Sequence, residues 1–369
     1  MAFTVSLIKI FIRRNSRQRG MKFLKCSEDA IPPPTGKRVA IVGAGPAGLG
    51  AAGVLRCKGH EVHVYDALQE PGGMLIFAIP EYHVPKAGVR SGVQELVKAG
   101  VNFHLKTKVA GCSGDGVKLE DLVRDFDAVL IATGTWRSRN LGVPGEDLPG
   151  VYVALDWLFE FYQAQLGYTS MDEVPPLGHN IMVVGGGLTA VDATEVPLRY
   201  LKDRFNIQKV YLSYRRTRNE APMSPREFNR LIEKYGVEPL ELTVPTKFSP
   251  GPNGRVASAT LQRMKLESVP GDKRPHPVPI PGSEFEVKVD AVLVAAGEIP
   301  SPPFEQGCLG IELNRDGTIK TDQKFRTTAK KVFAAGDVRH GASLYGLALK
   351  SGNEAAAALD EFLRTGSWS

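Results

Sequence analysis

The sequence predicts an α/β protein with two doubly wound parallel sheets. Three observations predict it. A short apolar strand runs into a glycine turn and a helix at residues 37–58, and the same order returns at residues 180–200. Two similar strands, FDAVLIATG (126–134) and VDAVLVAAG (289–297), then bracket the second copy. Buried strands that pass through glycine into a helix are the pattern of parallel sheets with crossover helices. The bracketing predicts an insertion: one domain split over residues 37–150 and 298–369, a second over 151–297, and an N-terminal extension over 1–36.

The extension begins MAFTVSLIKIFIRRNSRQRG, whose apolar part is too short to span a bilayer and is followed by no small-residue cleavage site. Lys9, Arg13, Arg14, Arg17, Arg19, Lys22 and Lys25 occur without an acid among them. A mitochondrial presequence or an interfacial anchor has this composition. The plainer reading, adopted here, is an upstream extension with Met21 as the start, or a disordered tail. No other segment approaches transmembrane length.

In the first unit KRVAIV (37–42) reads as a buried parallel strand, and GAGPAG supplies Gly43, Gly45 and Gly48 in G-x-G-x-x-G spacing. Gly43 permits the tight turn, Gly45 lets a pyrophosphate approach the backbone, and Gly48 lets helix and strand pack closely. The helix that follows offers free N–H groups to phosphates. The next strand, EVHVYD, ends in Asp66, placed to accept hydrogen bonds from ribose hydroxyls. Strand, turn, helix, strand and acid in that order specify a Rossmann-like dinucleotide unit. EPGGML follows, where Gly72 and Gly73 would bring backbone close to a cofactor.

GVPGEDLPGV (142–151) reads as a Pro/Gly-rich link to the second unit. There NIMVV (180–184) is the strand and GGGLTA supplies Gly185, Gly187 and Ala190, the glycine-to-alanine variant. Pro197 is expected to end or kink the following helix. The strand KVYLSYRR then delivers Arg215, Arg216 and Arg218 where the first unit has an acid. A carboxylate would pair with a ribose 2′-hydroxyl and repel a 2′-phosphate, whereas a guanidinium fork binds the phosphate. The second unit is therefore expected to prefer NADPH to NADH. Two dinucleotides in one chain suggest electron transfer between them.

Composition excludes more than it assigns. The net charge of +6 is concentrated in the basic first segment, and the remainder is close to balanced, so no nucleic-acid face is required. Cys26, Cys57, Cys112 and Cys308 form no C-x-x-C pair and no cluster with metal-ligand spacing. That spacing argues against a disulfide framework, a zinc site or a chain-encoded iron–sulfur cluster, and scattered cysteines fit a reducing cytoplasm.

GAGPAGLGAAGVLRCKGHEVHVYDALQEPGGML, IATG, VVGGGLTAVDA, YRR and VFAAGDV, in this order, resemble the FAD/NADPH oxidoreductases related to the glutamate synthase small (beta) subunit. The resemblance runs from about Lys37 to the C-terminus. It implies a glutathione-reductase-like two-domain flavoprotein, with an NADPH domain inserted in a discontinuous FAD domain. FAD would be bound by Gly43, Gly45, Pro46, Ala47, Gly48, Asp66, Gly72, Gly73, Met74, Val109, Ala132, Thr133, Gly134, Gly336, Asp337, Ser343 and Leu344. Asp337 would hydrogen-bond the ribityl chain, and the helix from about Leu344 would aim its positive end at the flavin. NADPH would be bound by Gly185, Gly187, Leu188, Thr189, Ala190, Arg215, Arg216, Arg218, Ala296, Gly297 and Glu298.

The chain lacks the family's cysteine-rich N-terminal domain and any cysteine between Cys112 and Cys308. Disulfide reductase activity is disfavoured, and the expected acceptor is an iron–sulfur protein or a large catalytic subunit. Ferredoxin–NADP reductase, or an NADPH-dependent reductase of sulfur or another acceptor, is the neighbouring reading; a flavin-binding, nucleotide-sensing subunit is the non-enzymatic one. Hydride transfer needs no acid–base residue, so no catalytic side chain is nominated, and Glu298 is the one polar neighbour expected at the nicotinamide. The oligomeric state is left open.

Overall fold

The computed structural model describes residues 20–272 and 274–368, which fall into two compact units divided at Trp136/Arg137 and Glu298/Ile299. In chain order the first unit contributes β1 (Arg38–Val42), β2 (Glu61–Tyr65), β3 (Asn102–His104) and β4 (Ala128–Ile131). The second contributes β5 (Val151–Val153), β6 (Asn180–Val184), β7 (Lys209–Tyr214), β8 (Glu238–Glu241), β9 (Thr243–Pro250), β10 (Val256–Glu267), β11 (His276–Pro279), β12 (Phe285–Lys288) and β13 (Ala291–Val294). The chain then returns to the first unit with β14 (Val332–Ala334).

The first unit is a parallel sheet of order β14-β4-β1-β2-β3. Every residue of β4 and β14 is buried, as expected for strands covered on both faces. One face packs on α1 (Pro46–Arg56) and on a C-terminal helix, Tyr345–Thr365. These helices touch backbone to backbone: a Cβ at Gly352 would lie 2.0 Å from the Ala47 carbonyl oxygen. The other face buries Ala40, Val42, Val129 and Ile131 with Phe126, Phe304 and Ile311. The order steps outward from β1 and reverses there, so the glycine turn after β1 sits at the switch point where open α/β sheets bind ligands.

The second unit repeats the arrangement as β8-β7-β6-β13-β5, again all parallel, with the second glycine turn after β6. Ile181, Val183, Leu212 and Leu293 face helices that bury Trp157, Phe161 and Phe228. The opposite face differs from the doubly wound expectation. Met182, Val184, Val292 and Val294 pack on Phe248, Val256, Ala259 and Leu261 from the antiparallel strands β9 and β10, not on helices. Alternating burial along β9 and β10 gives them one apolar face, which is what such a cover needs.

Three expectations are corrected. The 142–151 link belongs to the second unit, held by the Phe248 N–H on the Pro144 carbonyl (2.9 Å) and the Val256 N–H on the Pro149 carbonyl (2.9 Å). Of the two outcomes expected of Pro197, ending its helix does not occur: the helix spans Leu188–Tyr200 and closes one turn later. The cysteines do form disulfides, Cys26–Cys57 and Cys112–Cys308, with Cα atoms 5.8 and 5.6 Å apart. Separations of 31 and 196 residues carry no spacing signal, because only the fold brings the partners together.

The N-terminal extension is packed from Gly20 onward. Phe23 is fully buried, the Met21 N–H donates to the Gly88 carbonyl (2.9 Å), and Gly53 and Gly92 leave room for the backbone of Phe23 and Met21. The leader expectations for residues 1–19 lie outside the described residues.

Candidate functional site

The first site is built around the N-terminus of α1. Gly43 has φ +108°, and a Cβ there would lie 2.4 Å from the Ala132 carbonyl oxygen. A Cβ at Gly48 would lie 1.9 Å from the Gly43 carbonyl oxygen. Gly45, in contrast, faces open space, with nothing within 4 Å of where its Cβ would be. Two glycines close the turn and the middle one leaves a cradle over free helix N–H groups, which fits a pyrophosphate.

Other predicted residues converge on this turn. Gly73 (φ +53°) lies against Gly45, and the Gly72 N–H donates to the Ala44 carbonyl (2.8 Å), so the turn leading into Met74 crosses the cradle. Ala132, Thr133 and Gly134 follow β4, where the Thr133 hydroxyl donates to the Ser301 carbonyl (2.7 Å). Gly336 sits against Ala47, and Asp337 accepts hydrogen bonds from the Ser343 N–H (3.2 Å) and hydroxyl (2.7 Å). Leu344 caps the C-terminal helix and is exposed. Asp66 accepts from the Ala44 N–H (2.6 Å) and the Leu68 N–H (2.8 Å); burial pushes its carboxyl up, and those two donors partly offset it. Val109 is buried in the same core cluster as Val42.

The second site follows β6. A Cβ at Gly185 would lie 2.3 Å from the Ala295 carbonyl oxygen, and one at Gly186 would strike the Tyr214 ring, whereas Gly187 faces open space. Gly187 caps the helix that starts at Leu188, and Ala190 is buried against the sheet. The Thr189 hydroxyl donates to Glu298 (2.5 Å), bringing Glu298 to the head of that helix. Ala296 and Gly297 lie between, and the Arg139 N–H donates to the Gly297 carbonyl (2.8 Å).

A family model described as pyridine nucleotide-disulphide oxidoreductase matches residues 37–356. The chain belongs to this oxidoreductase family. It is 37% identical to the NADP(+)-dependent formate dehydrogenase subunit beta of Moorella thermoacetica over 93% of the chain and 46% of that protein. It is 35% identical to the glutamate synthase [NADPH] small chain of Halomonas elongata, over 89% of the chain and 68% of the relative. The chain thus spans about half the length of the formate dehydrogenase subunit. Among solved structures it shares its fold with Mycobacterium tuberculosis FprA in complex with NADPH (TM-score 0.75, 20% identity, 91% of the chain and 85% of FprA). Lactococcus lactis thioredoxin reductase is a further match (TM-score 0.62, 22% identity, 89% and 99%).

The structure separates the oxidoreductase's three arginines. Arg218 is engaged within the fold: its guanidinium pairs with Glu241, donates to Asn229 Oδ1 (2.6 Å) and lies over the Phe228 ring. Among the described residues Arg216 gives only its Nε, to the Pro275 carbonyl (2.9 Å). Arg215 is exposed and has no hydrogen bond or ion pair among the described residues. Arg215 and the remaining donors of Arg216 are therefore the available cations.

Sequence reasoning missed Lys86 and Ser301. Lys86 is 3% exposed, and its ammonium donates to the carbonyls of Leu75 (2.7 Å) and Ile79, pinning the segment after Gly73. Ser301 receives the Trp136 N–H on its hydroxyl (2.8 Å) and ties down the Gly134 turn. Neither has a motif: Lys86 reaches back 7 and 11 residues and Ser301 165, to backbone groups that no spacing rule marks. Neither disulfide includes a residue of the 72–80 segment, and the second unit contains no cysteine.

Proposed function

We propose that the chain is an NADPH-dependent flavoprotein that passes electrons from NADPH through FAD to an iron–sulfur acceptor, in the manner of a glutamate synthase small subunit. One observation carries this: two complete glycine cradles, one followed by an acid and the other by uncommitted arginines. The relatives support it, since their names describe NADP(H)-dependent subunits of larger enzymes. When bound, FAD supplies hydride acceptance from the nicotinamide and release of single electrons.

The chain's residues bind, orient and shield. Gly45 and the first turn of α1 hold the FAD pyrophosphate, Asp66 the adenosine ribose and Asp337 the ribityl chain. Gly187 and the helix from Leu188 hold the NADPH pyrophosphate, while Arg215 and Arg216 hold its 2′-phosphate. Glu298, fixed by Thr189, is the polar group at the nicotinamide end. The cysteines form two pairs, and among the described residues no four of them come together for a cluster, so we place the acceptor on another polypeptide.

The test is turnover of FAD-loaded protein with NADPH and a reduced-versus-oxidised assay of an added iron–sulfur protein such as ferredoxin. Acceptor reduction that requires bound FAD supports the reading, and fast ferredoxin turnover without any partner subunit would favour the ferredoxin–NADP reductase alternative. A preparation that binds FAD but never reduces any acceptor would leave the sensing role. Among the described residues no helix is long and apolar enough to cross a membrane. We place the protein in the cytoplasm because NADPH is available there; the paired cysteines do not argue for that location, and cell fractionation decides it.

A further inference from the structure

We propose that reduction of the Cys112–Cys308 disulfide opens a binding site for a soft divalent cation of the zinc class, formed by both thiolates and the carboxylate of Glu305. The ligand atoms of Cys112, Glu305 and Cys308 all lie within 4.8 Å of one another. Tetrahedral zinc with sulfur and oxygen ligands holds those atoms roughly 3.5–4 Å apart, a rearrangement within reach of side-chain rotation.

The local backbone is already shaped for chelation. Glu305 and Cys308 are three residues apart in a turn closed by the Cys308 N–H on the Glu305 carbonyl (3.2 Å), with Gly307 at φ +89° supplying the bend. This is the short ligand spacing that metal sites use to deliver two donors from one turn. Cys112 comes from the other half of the split unit. The Ser113 hydroxyl donates to Glu305 Oε1 (2.9 Å), and Gly111 leaves room for the carboxylate, since a Cβ there would lie 2.2 Å from Oε2. Cys308 is buried and Cys112 half-buried, whereas Glu305 is exposed, which leaves a solvent-side position for a water as fourth ligand. The Cys26–Cys57 pair has no such third group among the described residues.

The chemistry balances with a dithiol reductant. The disulfide takes two electrons and two protons from the dithiol, which becomes a disulfide; the two new thiols release their protons as the cation binds. Either bond, sulfur–sulfur or sulfur–metal–sulfur, joins the two halves of the first unit, so a reducing environment exchanges one clip for another. The flavin reading is not needed for this.

The experiment uses the full-length protein, reduced anaerobically with a dithiol, freed of it by gel filtration and titrated with Cd2+. Bound metal is measured by elemental analysis and thiolate ligation by the ultraviolet charge-transfer band. The expected result is one Cd2+ per chain after reduction and none before. Cys112→Ser and Cys308→Ser should abolish uptake, and Glu305→Gln should weaken it by about tenfold or more, while the Cys26→Ser/Cys57→Ser double variant should bind normally. No uptake on reduction, uptake that survives Cys308→Ser, or unchanged affinity in Glu305→Gln would each overturn the proposal. So would loss of the folded far-ultraviolet circular dichroism on reduction that Cd2+ does not prevent.

Discussion

Arg215, Arg216 and Arg218 stand within four residues of one another, yet the fold gives them different work. Replacing Arg215 and Arg216 together with Gln should raise the KM for NADPH about tenfold or more, because each charge-assisted contact contributes roughly 1.5–3 kcal/mol. NADH should be affected little, and FAD content should not change; steady-state kinetics with both nucleotides and an artificial acceptor measures this. Equal loss with both nucleotides would make the two arginines structural. Arg218→Gln should instead lower stability, since it empties a site shared with Glu241 and Asn229.

Glu195 makes a second residue-scale prediction. Its side chain is fully buried, and it receives Arg199 (2.7 Å), Arg230 (2.8 Å) and Tyr235 (2.5 Å). Burial alone would raise its carboxyl, but these donors outweigh burial and hold it at about 2 against an ordinary 4.5. A depressed folded-state value means the stabilisation is full above about pH 4.5 and is lost as pH falls toward 2. Glu195→Ala, which removes the carboxylate shared by Arg199, Arg230 and Tyr235, should cost roughly 1.5–3 kcal/mol at neutral pH by urea denaturation. Its acid unfolding should lack the Glu195 component, so the difference from the parent should shrink below pH 4.5.

At the scale of elements, the first glycine turn separates folding from binding. Gly48→Ala places a methyl where the Gly43 carbonyl already sits, and overpacking of this kind costs about 1–3 kcal/mol or more. Gly45→Ala meets no protein atom. Thermal melts of flavin-free protein should fall for Gly48→Ala and hold for Gly45→Ala, while FAD binding should fall in both. A Gly45→Ala protein that retained full FAD affinity would remove the pyrophosphate from this cradle. These turns were legible in the sequence because strand, glycine and helix are contiguous, and one unbroken stretch of chain contains the whole physical requirement. Lys86, Ser301 and the Arg230 and Tyr235 contacts of Glu195 were not, because those partners lie in other elements; only the Glu195–Arg199 pair has a helical i,i+4 spacing. The antiparallel cover of β9 and β10 went unread for a related reason: its alternation is clear only once the face it covers is known.

The whole molecule adds the disulfides. Cys112–Cys308 closes a separation of 196 residues that contains the entire second unit, and so holds together a first unit made of two chain segments. Reduction without added metal should destabilise the first unit by roughly 3–5 kcal/mol on chain-entropy grounds, seen as a lower melting temperature with a dithiol and recovered when the dithiol is removed in air. Spacing rules could not find this pair, and the sequence reading that excluded disulfides failed on topology, not on chemistry. The two-unit plan and the insertion, by contrast, were visible in the twin strands that end at Gly134 and Gly297, each of which lies beside its unit's glycine turn.

On the proposed function, this chain carries electrons from NADPH to its own FAD. The most direct measurement is an anaerobic titration of FAD-loaded protein with NADPH and, separately, NADH, following the flavin absorbance maximum. Bleaching should be complete at about one NADPH per flavin and much slower with NADH at the same concentration. A flavin that stays oxidised under excess NADPH, or one that NADH reduces equally fast, would contradict it.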